Sequence, residues 1–176
     1  SKAPGLPDAY PKLPAANGMK YYSNRPRVHD YLKEVKRDVL DYYDCFTVGE
    51  SPMTTPEIAL RYISEGPDKV LDEMIGFSHM EADCFLTDMV QRPFNLVKMK
   101  RAFTQWQTKL EGKAWNALYI ENHDHPRIIS RYGSERYHRE SGKMLAAMYI
   151  LQRGTPFVYR GQEIGMLNLC LPSVNM

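Results

Sequence analysis

Two groups of side chains in this sequence have the types and the spacing to act on a substrate. The first is Glu50, the carboxylate that closes the apolar run Cys45-Phe46-Thr47-Val48-Gly49-Glu50. The second follows the run Trp115-Asn116-Ala117-Leu118-Tyr119-Ile120 and comprises Glu121, Asn122, His123, Asp124, His125, Pro126 and Arg127. Buried strands that end in polar groups are how α/β enzymes present functional side chains at the mouth of a sheet. Acids brought there by separate strands fit glycoside hydrolysis, in which a general acid protonates the leaving oxygen and further carboxylates stabilise a cationic sugar. After a glycine at a strand end, Glu50 is expected to be partly withdrawn from water, which suits it to donate a proton near neutral pH.

Other readings of the same residues stay open at this stage. Glu50 would serve equally as an N-cap or first-turn acid of the next helix. Asp124 and Arg127 would form an ordinary salt-bridged turn. His123 and His125 supply two of the ligands a metal needs, without an identifiable third, and no metal or cofactor is expected. A retaining glycosidase also needs a nucleophilic carboxylate roughly 5 Å from the acid. No third apolar run leads into Asp or Glu in so polar a setting; Glu163 comes nearest and reads as a structural rim residue. The sequence therefore proposes a sugar-cleaving site and leaves it incomplete. His79 and Asp83 read as weaker candidates, with His79 a satisfied structural histidine, and His29 and His138 are expected on helices, facing solvent.

The elements that must position these groups alternate. Residues 1–24 hold Pro4, Pro7, Pro11, Pro14, Gly5 and Gly18 beside Tyr10, Tyr21 and Tyr22, and predict a long loop lining the site. Val28, Tyr31, Leu32, Val35 and Val39 fall on one helical face after Pro26. Thr55-Pro56-Glu57 reads as N-cap, N1 and first-turn acid of a short helix ending near Gly66. Val70 to Phe77 is a weaker strand. Leu96, Met99, Phe103, Trp106 and Leu110 step by three and four along a helix stopped by Gly112. A further helix over about 134–153 turns Met144, Ala147, Met148 and Leu151 inward, with Gly154 as its end signal; Thr155 to Tyr159 is a last strand, and the residues from Leu167 on show no period. Alternating strands and helices predict a parallel α/β fold with right-handed crossovers. Four or five such units are too few to close an eight-stranded barrel; an open sheet fits the count, but no glycine-rich phosphate loop follows any strand.

With 176 residues, 43% apolar and 25% charged, the chain is long enough for one domain with a sizeable core. A net charge of +2 argues for neither nucleic acid nor an anionic membrane as partner. No apolar run approaches the roughly 20 residues of a membrane-spanning helix, and the first residues do not read as a signal peptide. Cys45, Cys84 and Cys170 make no CxxC pair, which favours a reducing, cytoplasmic setting.

Taken together, these residues resemble the α-glucosidase and oligo-1,6-glucosidase branch of glycoside hydrolase family 13, the α-amylase family. Thr47-Val48-Gly49-Glu50 is similar to its general-acid motif, and Glu121-Asn122-His123-Asp124-His125-Pro126-Arg127 resembles its other diagnostic motif. Phe77 with His79-Met80-Glu81, and Gly154 to Tyr159 with Gly161 to Met166, look like its sixth and eighth strand segments. The resemblance runs from the first residue nearly to the last. It implies a partial (β/α)8 TIM barrel, from just after strand 4 through strand 8. Residues 1–176 would then be the C-terminal half of a catalytic barrel, without the nucleophile-bearing half, the inserted loop domain or the C-terminal β domain. It also implies that Glu50 is the acid/base, that Asp124 holds sugar hydroxyls and stabilises an oxocarbenium-like transition state, and that His123 and Arg127 bind substrate. The substrate would be a disaccharide or small oligosaccharide with terminal α-linked glucose, and the main protein partner the other half of the barrel. Rival expectations are a sucrose isomerase or transglucosidase on the same barrel, and a non-catalytic transporter-associated ectodomain. Three positions depart from the family pattern: Arg160 replaces a usual glutamine, Ser23-Asn24-Arg25-Pro26 lacks the usual glycine before the proline, and His125 stands where glutamine is common.

Overall fold

The computed structural model describes residues 21, 23–51, 54–85 and 90–169. The loop expected over residues 1–24 lies almost wholly outside the described residues, as do Cys170 and the tail that follows it. The chain divides into two units, residues 1–115 and 116–176.

The first unit begins with helix α1 (Val28–Asp38) and a short 3-10 turn at Leu40–Tyr42, then strand β1 (Val48–Glu50) and helix α2 (Pro56–Ile63). Strand β2 (Glu73–Ile75) and a 3-10 turn at Ser78–Glu81 follow, then β3 (Cys84–Phe85), β4 (Val90–Gln91) and helix α3 (Leu96–Leu110). β1 pairs parallel with β2, placing Glu50 opposite Ile75, as the alternation of elements predicts. The antiparallel hairpin of β3 and β4 was not foreseen; two-residue strands are too short to show a period.

Local chemistry explains the helix limits. Thr55 caps α2 by accepting the Ile58 amide, with Pro56 in the first turn. Asn95 caps α3 in the same way through the Lys98 amide, and Gly112 takes a φ of +68° just past its end. The core is formed by Ala59, Tyr62 and Ile63 of α2, Val70 and Met74 around β2, and Trp106, Leu110 and Ala114 from α3 onward. The Trp106 indole donates to Ser78 Oγ at 2.9 Å, so its one polar atom is satisfied. α1 meets this core through Val28, Leu32 and the His29 ring, while Tyr31 and Val35 of its apolar face, and Val39 just past its end, are exposed.

His29 is not turned to solvent as expected. Its ring packs on Tyr62 with centroids 4.4 Å apart, and burial, with help from the Arg61 and Lys33 charges, holds its pKa below the usual imidazole value. His79 is buried and stacked on Phe103, in keeping with the structural role expected for it. Cys45 is exposed and Cys84 buried.

The second unit contains β5 (Ala117–Leu118), α4 (Ile128–Tyr132), a 3-10 turn at Glu135–Tyr137, α5 (His138–Ile150), β6 (Thr155–Pro156) and a 3-10 turn at Gln162–Ile164. β5 and β6 are parallel. Thr155 and Phe157 donate to Asn116 and Leu118 at 2.8 and 2.7 Å, so the ladder needs nothing from Pro156, which has no N–H to give. α5 buries Ser141, Leu145 and Tyr149, whereas Met144, Ala147 and Leu151, expected inward, are exposed. The buried ridge runs i, i+4, i+8 through a serine, and Ser141 Oγ both accepts from the Ser134 amide and donates to its carbonyl; a stripe counted by hydrophobicity alone falls one residue to the side. Gly154 serves the strand rather than the helix end, since a Cβ there would lie 2.3 Å from the Asn116 carbonyl.

β1 is held at its start by a reciprocal pair. Asp72 Oδ2 accepts from the Thr47 amide at 2.8 Å and from its hydroxyl at 2.7 Å, while the Asp72 amide donates to Thr47 Oγ1 at 3.0 Å. Burial works against the Asp72 charge, yet the Thr47 hydrogen bonds and the Lys69 ammonium hold its carboxyl below the usual carboxylate range. A folded pKa below the unfolded one contributes stability that is complete above the ordinary carboxylate value and is lost as pH falls through the folded value. Thr47→Val is expected to cost about 1–2 kcal/mol in urea unfolding near neutral pH. The gap to wild type should narrow below about pH 4, as Asp72 takes up its proton.

Candidate active site

The residues singled out for chemistry fall in both units. Glu50 ends β1 in the first, where it is exposed, so the partial withdrawal from water expected of it is not seen. It does not cap α2 either: Thr55 is the N-cap and Glu57 the first-turn acid.

In the second unit the sequence turns from apolar to polar where β5 gives way to a turn. Tyr119, Ile120 and Glu121 are buried, and from His123 the chain emerges into solvent. Asn122 Oδ1 accepts the Asp124 amide at 3.0 Å, a local turn that sends the next side chains outward. His123 Nε2 lies 3.5 Å from Asp124 Oδ2, and both side chains are more than half exposed. The pair offers an imidazole and a carboxylate side by side, a set suited to hydrogen-bonding neighbouring hydroxyl groups of a sugar. His125 is set apart from it, half-buried, with Nδ1 at 3.3 Å from Arg131 Nη1.

Arg127 does not pair with Asp124 in a simple salt-bridged turn. Its Nη1 donates to Glu121 Oε2 at 2.9 Å and to the Arg160 carbonyl at 2.8 Å, and its guanidinium lies over the Tyr159 ring, 5.0 Å from the centroid. Sequence reasoning missed Glu121. The available signal was a carboxylate directly after a buried apolar run, a position that calls for a cation.

The segment after β6 has its own supports. Gln162 Oε1 accepts the Tyr159 amide at 3.0 Å, and Glu163 Oε2 accepts the Gly161 amide at 2.8 Å, the structural part foreseen for Glu163. The departure at Arg160 leaves the contact with Arg127 intact, because the main-chain carbonyl makes it. His138, expected to face solvent, is half-buried with Nε2 at 2.6 Å from the Gly165 carbonyl. A hollow of about 430 Å³ lined by His138, Lys143, Tyr149, Val158, Gln162 and Ile164 includes neither His123 nor Asp124. Among the described residues, no three His, Cys, Asp or Glu side chains converge as metal ligands would. Nor is any helix among them long and apolar enough to cross a membrane.

Comparison with known proteins fits this arrangement. A family model described as the alpha amylase catalytic domain matches residues 1–174. The chain belongs to the alpha-amylase family. It is 44% identical over 178 residues to an oligo-1,6-glucosidase of Parageobacillus thermoglucosidasius, a match covering 99% of this chain and 32% of that protein. It is 39% identical over 163 residues to the trehalose-6-phosphate hydrolase of Bacillus subtilis, covering 90% of this chain and 29% of the relative. Among solved structures, the trehalose-6-phosphate hydrolase of Bacillus licheniformis matches with a TM-score of 0.79 at 40% identity, over 86% of this chain and 28% of that one. The isomaltulose synthase of Erwinia rhapontici NX5 matches with a TM-score of 0.84 at 27% identity, over 99% and 32%. The chain thus spans about a third of the length of the curated relatives it matches, and it carries part of the barrel fold of the family.

Gly161 is the backbone point on which the Arg127 contacts turn. It takes a φ of +91°, and a Cβ there would sit 2.1 Å from Met166 Sδ, the sulfur 3.6 Å from Arg127 Nη2. Gly161→Ala is expected to destabilise the protein by roughly 1–3 kcal/mol in thermal unfolding, from left-handed strain plus the displaced methionine.

Proposed function

We propose that this chain is part of a retaining α-glucosidase that releases terminal α-linked glucose from short oligosaccharides, through α-1,4 or α-1,6 linkages. The supporting observation is that Glu50 closes one parallel strand while His123 and Asp124 emerge just past the end of another, in a chain of the alpha-amylase family. Strand C-termini are where barrel enzymes keep their chemistry. On this reading residues 1–176 run from just after strand 4 of the barrel to just after strand 8. β1, β2, β5 and β6 are then its fifth to eighth strands.

The chemistry follows the two-step scheme of retaining glycosidases. Glu50 gives its proton to the glycosidic oxygen as the bond to the anomeric carbon breaks. A carboxylate elsewhere in the protein attacks that carbon, and Glu50, now a base, takes a proton from the water that frees the sugar. Asp124 and His123 hold ring hydroxyls, and the Asp124 charge offsets the positive charge developing on the sugar. Arg127 lines the wall of the same pocket. The exposed Cys45 thiol suits a reducing, cytoplasmic setting.

A sucrose isomerase or transglucosidase is the second reading, favoured by the likeness to isomaltulose synthases over nearly the whole chain. Product analysis separates the two: glucose from maltose or isomaltose supports hydrolysis, and a rearranged disaccharide from sucrose supports isomerisation. The joint presence of Glu50, His123 and Asp124 speaks against a non-catalytic ectodomain.

In the full-length protein, Glu50→Gln is expected to lower kcat on p-nitrophenyl α-glucoside by roughly 10²–10⁴-fold, the usual worth of a general acid. Asp124→Asn should cost about 10²–10³-fold. Activity equal to wild type in Glu50→Gln would remove Glu50 from the reaction. The 176 residues expressed alone should be inactive and self-associating, since Tyr31 and Val35 of α1, the adjoining Val39, and Val158 and Ile164 of the second unit present apolar surface. A monomeric, cooperatively melting and active product would overturn the proposal that the rest of the barrel is its partner.

A further inference from the structure

A carboxylate that substrate does not reach holds the second unit's polar turn in place. Glu121 is the first polar residue after the buried run of β5, and its side chain is 1% exposed. Each of its oxygens has a separate task. Oε1 accepts the Ile128 amide at 2.7 Å, at the start of α4, and Oε2 accepts Arg127 Nη1 at 2.9 Å. Residues 122–127 are therefore a loop closed at both ends by one side chain, and His123 and Asp124 lie within it.

Arg127 carries the restraint outward. Besides Glu121 it holds the Arg160 carbonyl at 2.8 Å and reaches Met166 Sδ at 3.6 Å, while its face covers Tyr159. Its backbone amide donates to Asn168 Oδ1 at 2.7 Å, and the Asn168 amide donates to Ser130 Oγ at 3.1 Å. The segment 159–168 is thereby fastened to the polar turn at its start by the Arg127 guanidinium, whose orientation Glu121 sets, and at its end by the Arg127 amide and Ser130. A planar fork with fixed donor directions transmits position in a way that a flexible ammonium cannot.

We propose that Glu121 is a positioning residue: by orienting Arg127 it fixes the His123–Asp124 turn against segment 159–168, and so sets the geometry with which the sugar is held. This rests on the α-glucosidase reading and adds to it a residue that touches neither sugar nor water. Misplacing substrate-holding groups by about 1 Å is enough to cost up to roughly a hundredfold in rate, mostly where contacts tighten in the transition state.

Glu121→Gln tests this without changing shape. A glutamine must turn its NH2 toward either Arg127 or the Ile128 amide, so in both orientations one donor meets another donor. In the full-length protein, this variant is expected to lower kcat on p-nitrophenyl α-glucoside about tenfold to a hundredfold, with KM moved less than about threefold. The double variant Glu121→Gln with Arg127→Met removes the partly buried cation as well. It should recover melting temperature relative to Glu121→Gln, because no partly buried charge then lacks its partner, yet its kcat should stay low. Arg127→Lys, which keeps the charge but loses the fork, should share the kcat loss. A Glu121→Gln protein with wild-type kcat and KM overturns the inference, as does a double variant that regains wild-type kcat together with its melting temperature, since Glu121 would then be only a stabiliser. A wild-type protein that turns over no α-glucoside overturns the glycosidase reading, and this inference with it. An active wild type beside an unaffected Glu121→Gln overturns this inference alone.

Discussion

A carboxylate sealed from water must be given partners for both oxygens, and Glu121 shows how much structure that requirement organises. Removing one charge of a buried pair typically costs about 3–5 kcal/mol, far more than a surface contact is worth. The Glu121 oxygens are met by a main-chain amide and by a guanidinium, both supplied by the residues that immediately follow the polar turn. The turn is therefore short and closed, and its unburied members, His123 and Asp124, project into solvent. The first unit solves a similar problem differently. Asp72 accepts two hydrogen bonds from Thr47 and returns one, pinning the start of β1 three residues before Glu50. Each candidate group is thus the outer end of a strand whose inner end or flank is fixed by a carboxylate that itself takes no part in chemistry.

These anchors matter because the ladders are short. β1 with β2 share three residue pairs, and β5 with β6 share two. Parallel strands cannot be joined by tight turns, so the connecting helices supply the stability that such ladders lack. In the first unit this is visible in the contact of α2 and α3 through Tyr62, Ile63, Trp106 and Leu110, with Met74 of β2 set among them. α1 is the exception, since Tyr31 and Val35, with the adjoining Val39, lie on an apolar face that remains exposed.

Much of this could be read from the residues. Thr55, Pro56 and Glu57 behave as a helix start; of the stripe Leu96, Met99, Phe103, Trp106 and Leu110 read for α3, Met99, Trp106 and Leu110 are buried, Phe103 is half-buried and Leu96 is exposed. Parallel pairing followed from the alternation of elements. What failed to show was whatever depends on polar and ring contacts that no hydrophobic period records. The inward face of α5 is set by Ser141 meeting Ser134, a polar contact that a hydrophobic count passes over. The partner of Arg127 is six residues away, across the turn, rather than at the nearer Asp124. His29 and His138 sit on helices as expected, but Tyr62 and the Gly165 carbonyl draw them inward. Of the site itself, Glu50, His123 and Asp124 were legible as chemistry, whereas the scaffold that aims them was not, because that scaffold is tertiary.

The exposure of all three groups bears on how the proposed site would work. An acid, a carboxylate and an imidazole open to solvent act in a high dielectric, where a charge 4 Å from a developing charge is worth about 1 kcal/mol. The same groups in a water-excluded pocket are worth several times more, and enzymes draw most of their electrostatic advantage from that difference. The strand ends described here supply position and leave dryness to whatever covers them. On the proposed reading that cover is the remainder of the barrel, with the sugar itself, whose apolar ring faces displace water from His123 and Asp124 as it binds. Rigidity then becomes the demand placed on this part of the chain: groups already fixed before the cover arrives pay no reorganisation when the charge develops. A buried Glu121 holding an arginine fork meets that demand better than any flexible contact at the surface could.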